Sequence, residues 1–251
     1  MTRDAPTTPA PIGVAATVVL LRDSRDGPEV LLLERPRHRG SFAGAWVFPG
    51  GVVDPEDRLP TDAAASRASI AAVAAADSRG EHAEQLAARR AAVREVREET
   101  GLVVSPDDLV PTALWIPPLN VPKRLRTWFY LGAAPSGDIV LAEDEAIDFT
   151  WLRPETALER HASASLTLIA PTWVTLHGLC GYGSVAEVMA AATEHGRARF
   201  ETRPGQSERG PVLFWAGDVA YDDQSLVDQA GGRHRLETGE LPWVYSRSGL
   251  D

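Results

Sequence analysis

The chain has 251 residues, of which 44% are hydrophobic, and a formal net charge of −10. A length of this order buries one sizeable core, and nothing in the sequence marks a clean division into two domains. The acidic balance argues against a nucleic-acid surface, no apolar run approaches the length of a membrane span, and the single cysteine, Cys180, excludes an internal disulfide framework and fits a reducing cytoplasm.

Residues 1–11 carry Pro6, Pro9 and Pro11 without an apolar core and read as a flexible lead rather than a signal peptide. β-Branched and aliphatic runs predict strands at Ile12–Leu21 and Glu29–Glu34, joined by the turn Asp26-Gly27-Pro28, and a short strand at Trp46–Phe48 stopped by Pro49-Gly50-Gly51. Residues 58–86 are rich in alanine (Ala63-Ala64-Ala65, Ala71-Ala72, Ala74-Ala75-Ala76), and with Asp62 as an N-cap they predict a helix. A second helix follows over Arg94–Thr100, and Gly101 ends it in the left-handed conformation. Strands are then predicted at Val110–Ile116, Thr127–Gly132 and Phe149–Leu152, and helices at Pro154–Arg160, Pro171–Leu179 and Ser184–Thr193. The tail returns to strand-like runs at Val212–Trp215 and Trp243–Tyr245.

The segment Arg94-Glu95-Val96-Arg97-Glu98-Glu99-Thr100-Gly101-Leu102 carries the densest chemistry. At about 100° per residue, Glu95, Glu98 and Glu99 fall in one arc of roughly 100°, with Arg94 at its edge and Leu86, Val93 and Val96 facing away. Glu95 and Glu99 are an i,i+4 like-charge pair near a helix C-terminus, where the dipole also disfavours negative charge. Both penalties reverse beside Mg²⁺ or Mn²⁺, hard cations that prefer carboxylate oxygens. The plain alternative is a solvated Arg/Glu face, which is what most such faces are.

The run spells Arg-Glu-hydrophobic-x-Glu-Glu-x-Gly-hydrophobic and resembles the second half of the Nudix box of pyrophosphohydrolases. The resemblance implies an α/β (α+β) Nudix fold, a mixed β-sheet sandwiched between helices. On that reading residues 12–203 form the Nudix hydrolase domain, with 58–86 as a helical insertion in the box and 154–203 as a helical extension. Residues 204–251 then pack on the domain or on a homodimer partner. The family pattern also places a Gly and a Glu ahead of the Arg. Counting from Gly51 puts Asp57 where the Glu belongs and requires the insertion; counting back from Arg94 gives Gly80, with Glu84 near the vacant place. The Gly51 register is preferred because Phe48-Pro49-Gly50-Gly51 ends a strand where the family has its box glycine.

The segment from Leu31 to Gly51, with Arg35 and Gly44, resembles the coenzyme A diphosphatase branch of the family, most closely the peroxisomal type, which also carries an insertion. Trp115 to Tyr130, with Pro122-Lys123-Arg124, is similar to the same branch, although Arg126 stands where that branch usually has an Asp. The ending Ser248-Gly249-Leu250-Asp251 is not a peroxisomal address, so the compartment does not carry over. The resemblance implies Glu95, Glu98, Glu99 and Asp57 as ligands to Mg²⁺ or Mn²⁺. It implies Glu98, Glu99 and Arg94 in catalysis, and Arg35, Arg39, Lys123 and Arg124 on the phosphates of a small-molecule nucleotide substrate. Trp115 and Trp128 are candidates to stack an adenine, against the alternative that strand aromatics pack in the core. The loop Glu143-Asp144-Glu145 reads first as an acidic surface loop and second as a source of a catalytic base. His161, His177 and Cys180 have no partners at catalytic spacing and read as structural. Coenzyme A or an acyl derivative is the expected substrate, with ADP-ribose or NADH, or a ligand-binding domain without turnover, as alternatives.

Overall fold

The computed structural model describes residues 12–38, 42–59, 75–142 and 144–248. Its centre is β1 (Ile12–Ser24), a strand whose alternate residues are apolar on both faces. It pairs antiparallel with β2 (Gly27–Glu34) at one end and with β4 (Gly50–Val52) at the other, and parallel with β6 (Arg124–Ala133) along its opposite edge. β3 (Trp46–Val47) and β7 (Asp148–Leu152) add to β2, while β5 (Val110–Ile116) joins β6. The path β3-β2-β1-β6-β5-β8 is completed by β8 (Ala198–Glu201), parallel to β5.

Period-two alternation sends each strand to both faces of this sheet. On one face Val14, Ala16, Val18, Leu20, Leu114 and Trp128 meet Ala87, Ala88, Ala91, Ala92 and Val96 of α1 (Ala75–Thr100). Alanine at four facing positions lets that helix lie close to the strands. On the other face Val19, Leu21, Trp115 and Phe129 pack with Trp173, Leu176, Val185 and Val188. These come from α3 (Ala170–Gly178) and α4 (Val185–His195), which follow α2 (Pro154–Ala162). The mixed sheet lies between helices, as the Nudix resemblance implied.

Two elements differ from expectation. The expected insertion helix and the box helix are one continuous α1 from Ala75; the alanine run before it and the expected cap Asp62 lie outside the described residues. The tail is richer in strand than its sequence suggested. β9 (Arg203–Ser207), β10 (Gly210–Phe214), β11 (Arg233–Glu237) and β12 (Val244–Ser248) form a separate antiparallel sheet in the order β12-β11-β10-β9. Trp215 and Leu236, from the tail, belong to the same core as Trp115 and Phe200, and the Trp115 and Phe200 rings stack at 4.1 Å.

β11 escapes recognition because Arg-His-Arg does not look like buried strand, yet Arg235 is 3% exposed. Its guanidinium donates to Asp218 from Nε at 2.7 Å and from NH2 at 2.6 Å, and the His234 and Ala220 amides complete the carboxylate. Burial alone would raise the Asp218 pKa; the Arg235 and backbone donors hold it below its ordinary value. Breaking such a pair leaves an uncompensated buried charge. Asp218→Ala is therefore expected to cost about 3–5 kcal/mol in denaturant unfolding, while a loss below about 1 kcal/mol would show that the pair behaves as a surface one.

Candidate functional site

The C-terminal turn of α1 meets β4 at two glycines. Gly50 has φ 153°, and a Cβ there would lie 2.2 Å from the Ala16 carbonyl oxygen. At Gly51 a Cβ would stand 2.3 Å from Glu95 Oε1, so the strand approaches the carboxylate only because no side chain intervenes. The Gly50 amide donates to Glu99 Oε2 at 2.7 Å and fixes its direction. A third carboxylate arrives from the loop between β6 and β7. There the Val140 and Ala142 amides donate to the Thr100 and Glu99 carbonyl oxygens, which the end of the helix leaves open. This docking brings Glu145 to Glu95 and Glu99, with one ligand oxygen of each within 4.8 Å of the others.

Three carboxylates this close repel one another unless protonated or bridged by a cation. Burial, opposed by the Gly50 N–H and reinforced by Glu95 and Glu145, pushes the Glu99 carboxyl up to about 8. Burial also raises Glu95, against the attraction of Arg94. An all-oxygen donor set with surplus negative charge and a glycine cradle suits Mg²⁺ or Mn²⁺.

Arg94 organises the remaining carboxylates. It donates to Asp57 Oδ2 at 2.9 Å, to Glu95 Oε1 and Glu98 Oε2 at 2.9 Å each, and to the Val52 carbonyl at 3.0 Å. Its pKa is held above the ordinary value, chiefly by the hydrogen bond to Asp57. Asp57, expected among the metal ligands, lies instead on Arg94. It closes the short turn Pro55–Asp57 by accepting the Asp54 amide at 2.9 Å, which spends its charge away from the cluster. Glu98, also expected as a ligand, is half exposed on the Arg94 side and outside the convergent trio. Glu145 is the residue the sequence reading undervalued; only the acidic run marked it. Glu143 lies outside the described residues.

The carboxylates open into a cavity of about 950 Å³. Arg35 lines it, with a buried Nε that has no partner among the described residues, and so does the exposed Lys123. Gly44, at φ 72°, turns the loop that bonds the Ala45 carbonyl to the Arg35 amide. Arg124 is not in the lining and donates from Nε to the Pro118 carbonyl at 3.2 Å; Arg37 pairs with Glu34; Arg39 lies outside the described residues. Trp115 lines the cavity, whereas Trp128 is fully buried, with Nε1 on Glu84 at 2.8 Å and Arg197 over its ring, and cannot stack a base. Glu84 also pairs with Arg126, and a Cβ built on Gly80 would meet nothing within 4 Å beyond its own helix among the described residues. His161 Nδ1 lies 3.2 Å from both the Leu166 carbonyl and the Leu168 amide and can bond one of them according to its tautomer, and Cys180, its thiol pushed up to about 11 by burial, donates to the Leu176 carbonyl.

Two outcomes follow. Gly51→Ala is expected to displace the Glu95 carboxylate, a flexible group, and weaken Mn²⁺ affinity on the order of 10–100-fold with little loss of Tm; unchanged affinity in titration calorimetry would refute the cradle. The second concerns pH. The folded chain holds the Glu99 proton more tightly than the unfolded chain, so the metal-free protein gains stability below the ordinary value of 4.5 and loses it as pH rises through about 8. Metal binding needs the deprotonated group, so the rise in Tm from added Mg²⁺ should grow between about pH 5 and about pH 8.5. A rise that is the same across that range argues against it.

A NUDIX domain model matches residues 11–68 and 80–170, and the interruption falls within the 58–86 stretch read as an insertion. A Nudix hydrolase from Alicyclobacillus acidocaldarius aligns at a TM-score of 0.55 and 21% identity, covering 72% of this chain and 96% of that one. A MutT Nudix hydrolase from Burkholderia pseudomallei aligns at a TM-score of 0.42 and 21% identity over 66% and 97% of the two chains. A C. elegans Ap4A hydrolase gives 0.41 and 19% over 71% and 98%. No curated protein matches. With more than half of its residues matched, this chain belongs to the Nudix family and is one of its pyrophosphohydrolases.

Proposed function

We propose that the chain hydrolyses the diphosphate of coenzyme A or an acyl-coenzyme A, giving 3′,5′-ADP and (acyl-)phosphopantetheine. One observation carries this reading. Arg35 and Lys123, from the two separate segments that resemble the coenzyme A diphosphatase branch, line the same cavity as Glu95 and Glu99. Two cations in one cavity with the carboxylates suit a ligand that carries a diphosphate and a further phosphate.

Glu95, Glu99 and Glu145 would hold Mg²⁺ or Mn²⁺, which when bound neutralises diphosphate oxygens and makes a coordinated water more acidic. The chain's own part begins with Arg35, whose side chain lines the cavity beside Glu99 and offers its positive charge to a phosphate oxygen. Lys123 adds a mobile charge at the mouth. A carboxylate of the trio accepts the proton of the attacking water, and Glu99, fixed by the Gly50 amide, is the best oriented. Arg94 touches Glu95 and Glu98 and sets their position. Asp57 anchors Arg94 in turn.

The test is product analysis with Mg²⁺ or Mn²⁺ on coenzyme A, hexanoyl-coenzyme A, ADP-ribose and NADH. Coenzyme A compounds are expected to be cleaved, with Glu99→Gln reducing kcat on the order of 10²-fold or more and Arg35→Met acting mainly on KM. Cleavage of ADP-ribose with coenzyme A left intact would overturn the substrate assignment.

A further inference from the structure

The N-terminus of α3 opens into the same cavity as the carboxylates, which Ile169, Ala170, Pro171 and Thr172 all line. β3 holds it there: the Trp46 amide donates to the Thr167 carbonyl at 2.9 Å, and Trp46 bridges Leu168 in parallel. From Trp46 the chain runs on through Phe48-Pro49 to Gly50, whose amide fixes Glu99. Four residues span at most about 14 Å, so one short segment ties the helix start to the carboxylate.

The chain leaves this helix end uncapped. The N-cap residue Ile169 supplies no side-chain hydrogen bond, and the first turn holds no acidic residue. Pro171 has no N–H, and the Ala170 and Thr172 amides have no acceptor among the described residues. Open amides at the positive end of a helix dipole favour an anion.

Thr172 is a second and independent sign of a ligand. It is 2% exposed, and its hydroxyl makes no hydrogen bond to any described residue. Buried hydroxyls are normally paired. Unlike Trp115 Nε1, the Thr172 oxygen is not an occluded atom, so the cavity reaches it. A side chain at the third helical position leans back toward the helix start, which sets the hydroxyl on the side of the two open amides. Three donors without a carboxylate among them suit the oxygens of a phosphate.

We infer that the N-terminus of α3 is a phosphate subsite, with the Ala170 and Thr172 amides and the Thr172 hydroxyl as donors to a phosphate monoester that the substrate carries in addition to its diphosphate. This deepens the proposed coenzyme A reading and rests on it for the identity of that group as the 3′-phosphate. Thr172 lies beyond the residues matched by the family model.

The experiment separates the subsite from the substrate. Inorganic phosphate is titrated into the ¹⁵N-labelled full chain in EDTA at constant ionic strength, so that no divalent cation carries it to the carboxylates. The Ala170 and Thr172 amide resonances should shift and saturate in wild type and in Thr172→Ser, which keeps the hydroxyl. Thr172→Val, which removes it, and Ile169→Asp, which puts a carboxylate at the cap, should bind phosphate at least about 10-fold more weakly, with thermal melts reporting that each variant is folded. In turnover with Mg²⁺, the ratio of kcat/KM for coenzyme A to that for 3′-dephospho-coenzyme A should fall about 10-fold in both and hold in Thr172→Ser. No saturable shift in wild type, wild-type affinity in either folded variant, or a cleavage ratio that neither variant changes overturns the subsite. Phosphate binding that is lost in both variants while neither coenzyme A compound is cleaved supports the subsite and overturns only the coenzyme A reading.

Discussion

The contact between Gly51 and the Glu95 carboxylate sets the geometry on which the other parts of the site depend. A strand edge normally carries side chains outward and keeps a facing helix several ångströms away; here the strand presents bare backbone, and Glu95 occupies the space a Cβ would fill. The same approach brings the Gly50 amide within 2.7 Å of Glu99. Two carboxylates one helical turn apart are thereby desolvated on one side, which is why burial comes first among the influences raising both. The energy of that arrangement is unfavourable in isolation and becomes favourable beside a divalent cation, so the backbone fit and the metal preference are one property.

Such a site survives in the folded chain because its charges are shared out by position. Arg94 sits between Asp57 on the turn after β4 and Glu95 and Glu98 on its own helix. It leaves Glu99 and Glu145 to each other and to whatever cation they hold. Asp57 is one methylene shorter than the Glu of the family pattern and still reaches Arg94, because the Pro55–Asp57 turn brings its backbone close; Arg90 also donates to the Asp57 carbonyl at 2.9 Å. The turn thus couples the strand end to the helix from both its side chain and its backbone.

Much of this was legible in the sequence because it is local. Helical spacing alone puts Glu95 and Glu99 on one side, and the glycine pair after Phe48-Pro49 marks where a strand stops. The rest depends on contacts that spacing does not encode. Glu145 joins the cluster because amides of its loop satisfy carbonyls at the end of α1, a pairing between residues some forty positions apart in sequence. Asp57, expected as a metal ligand, pairs with Arg94, since a carboxylate's role depends on whether a cation or a guanidinium reaches it first. β8 and β11 were missed for a related reason: Arg199 and Arg235 make their strands look solvent-facing, and the fold sets Glu81 and Glu201 beside the first and Asp218 beside the second. Trp128 looked available for stacking until Glu84 and Arg197 closed over it.

The two faces of the sheet divide the chemistry in a way that the fold enforces. α1 and the β4 glycines hold the carboxylates on one side of the strand ends, and Gly50, Gly51, Glu95 and Glu99 lie within the segments shared with the family. The opposite face is covered by α3, α4 and the strands after residue 197, whose aromatic side chains stack directly on β5. Because Trp115 belongs to β5 yet stacks on Phe200 of β8 and meets Trp215 edge-on, the tail is continuous with the catalytic sheet rather than appended to it.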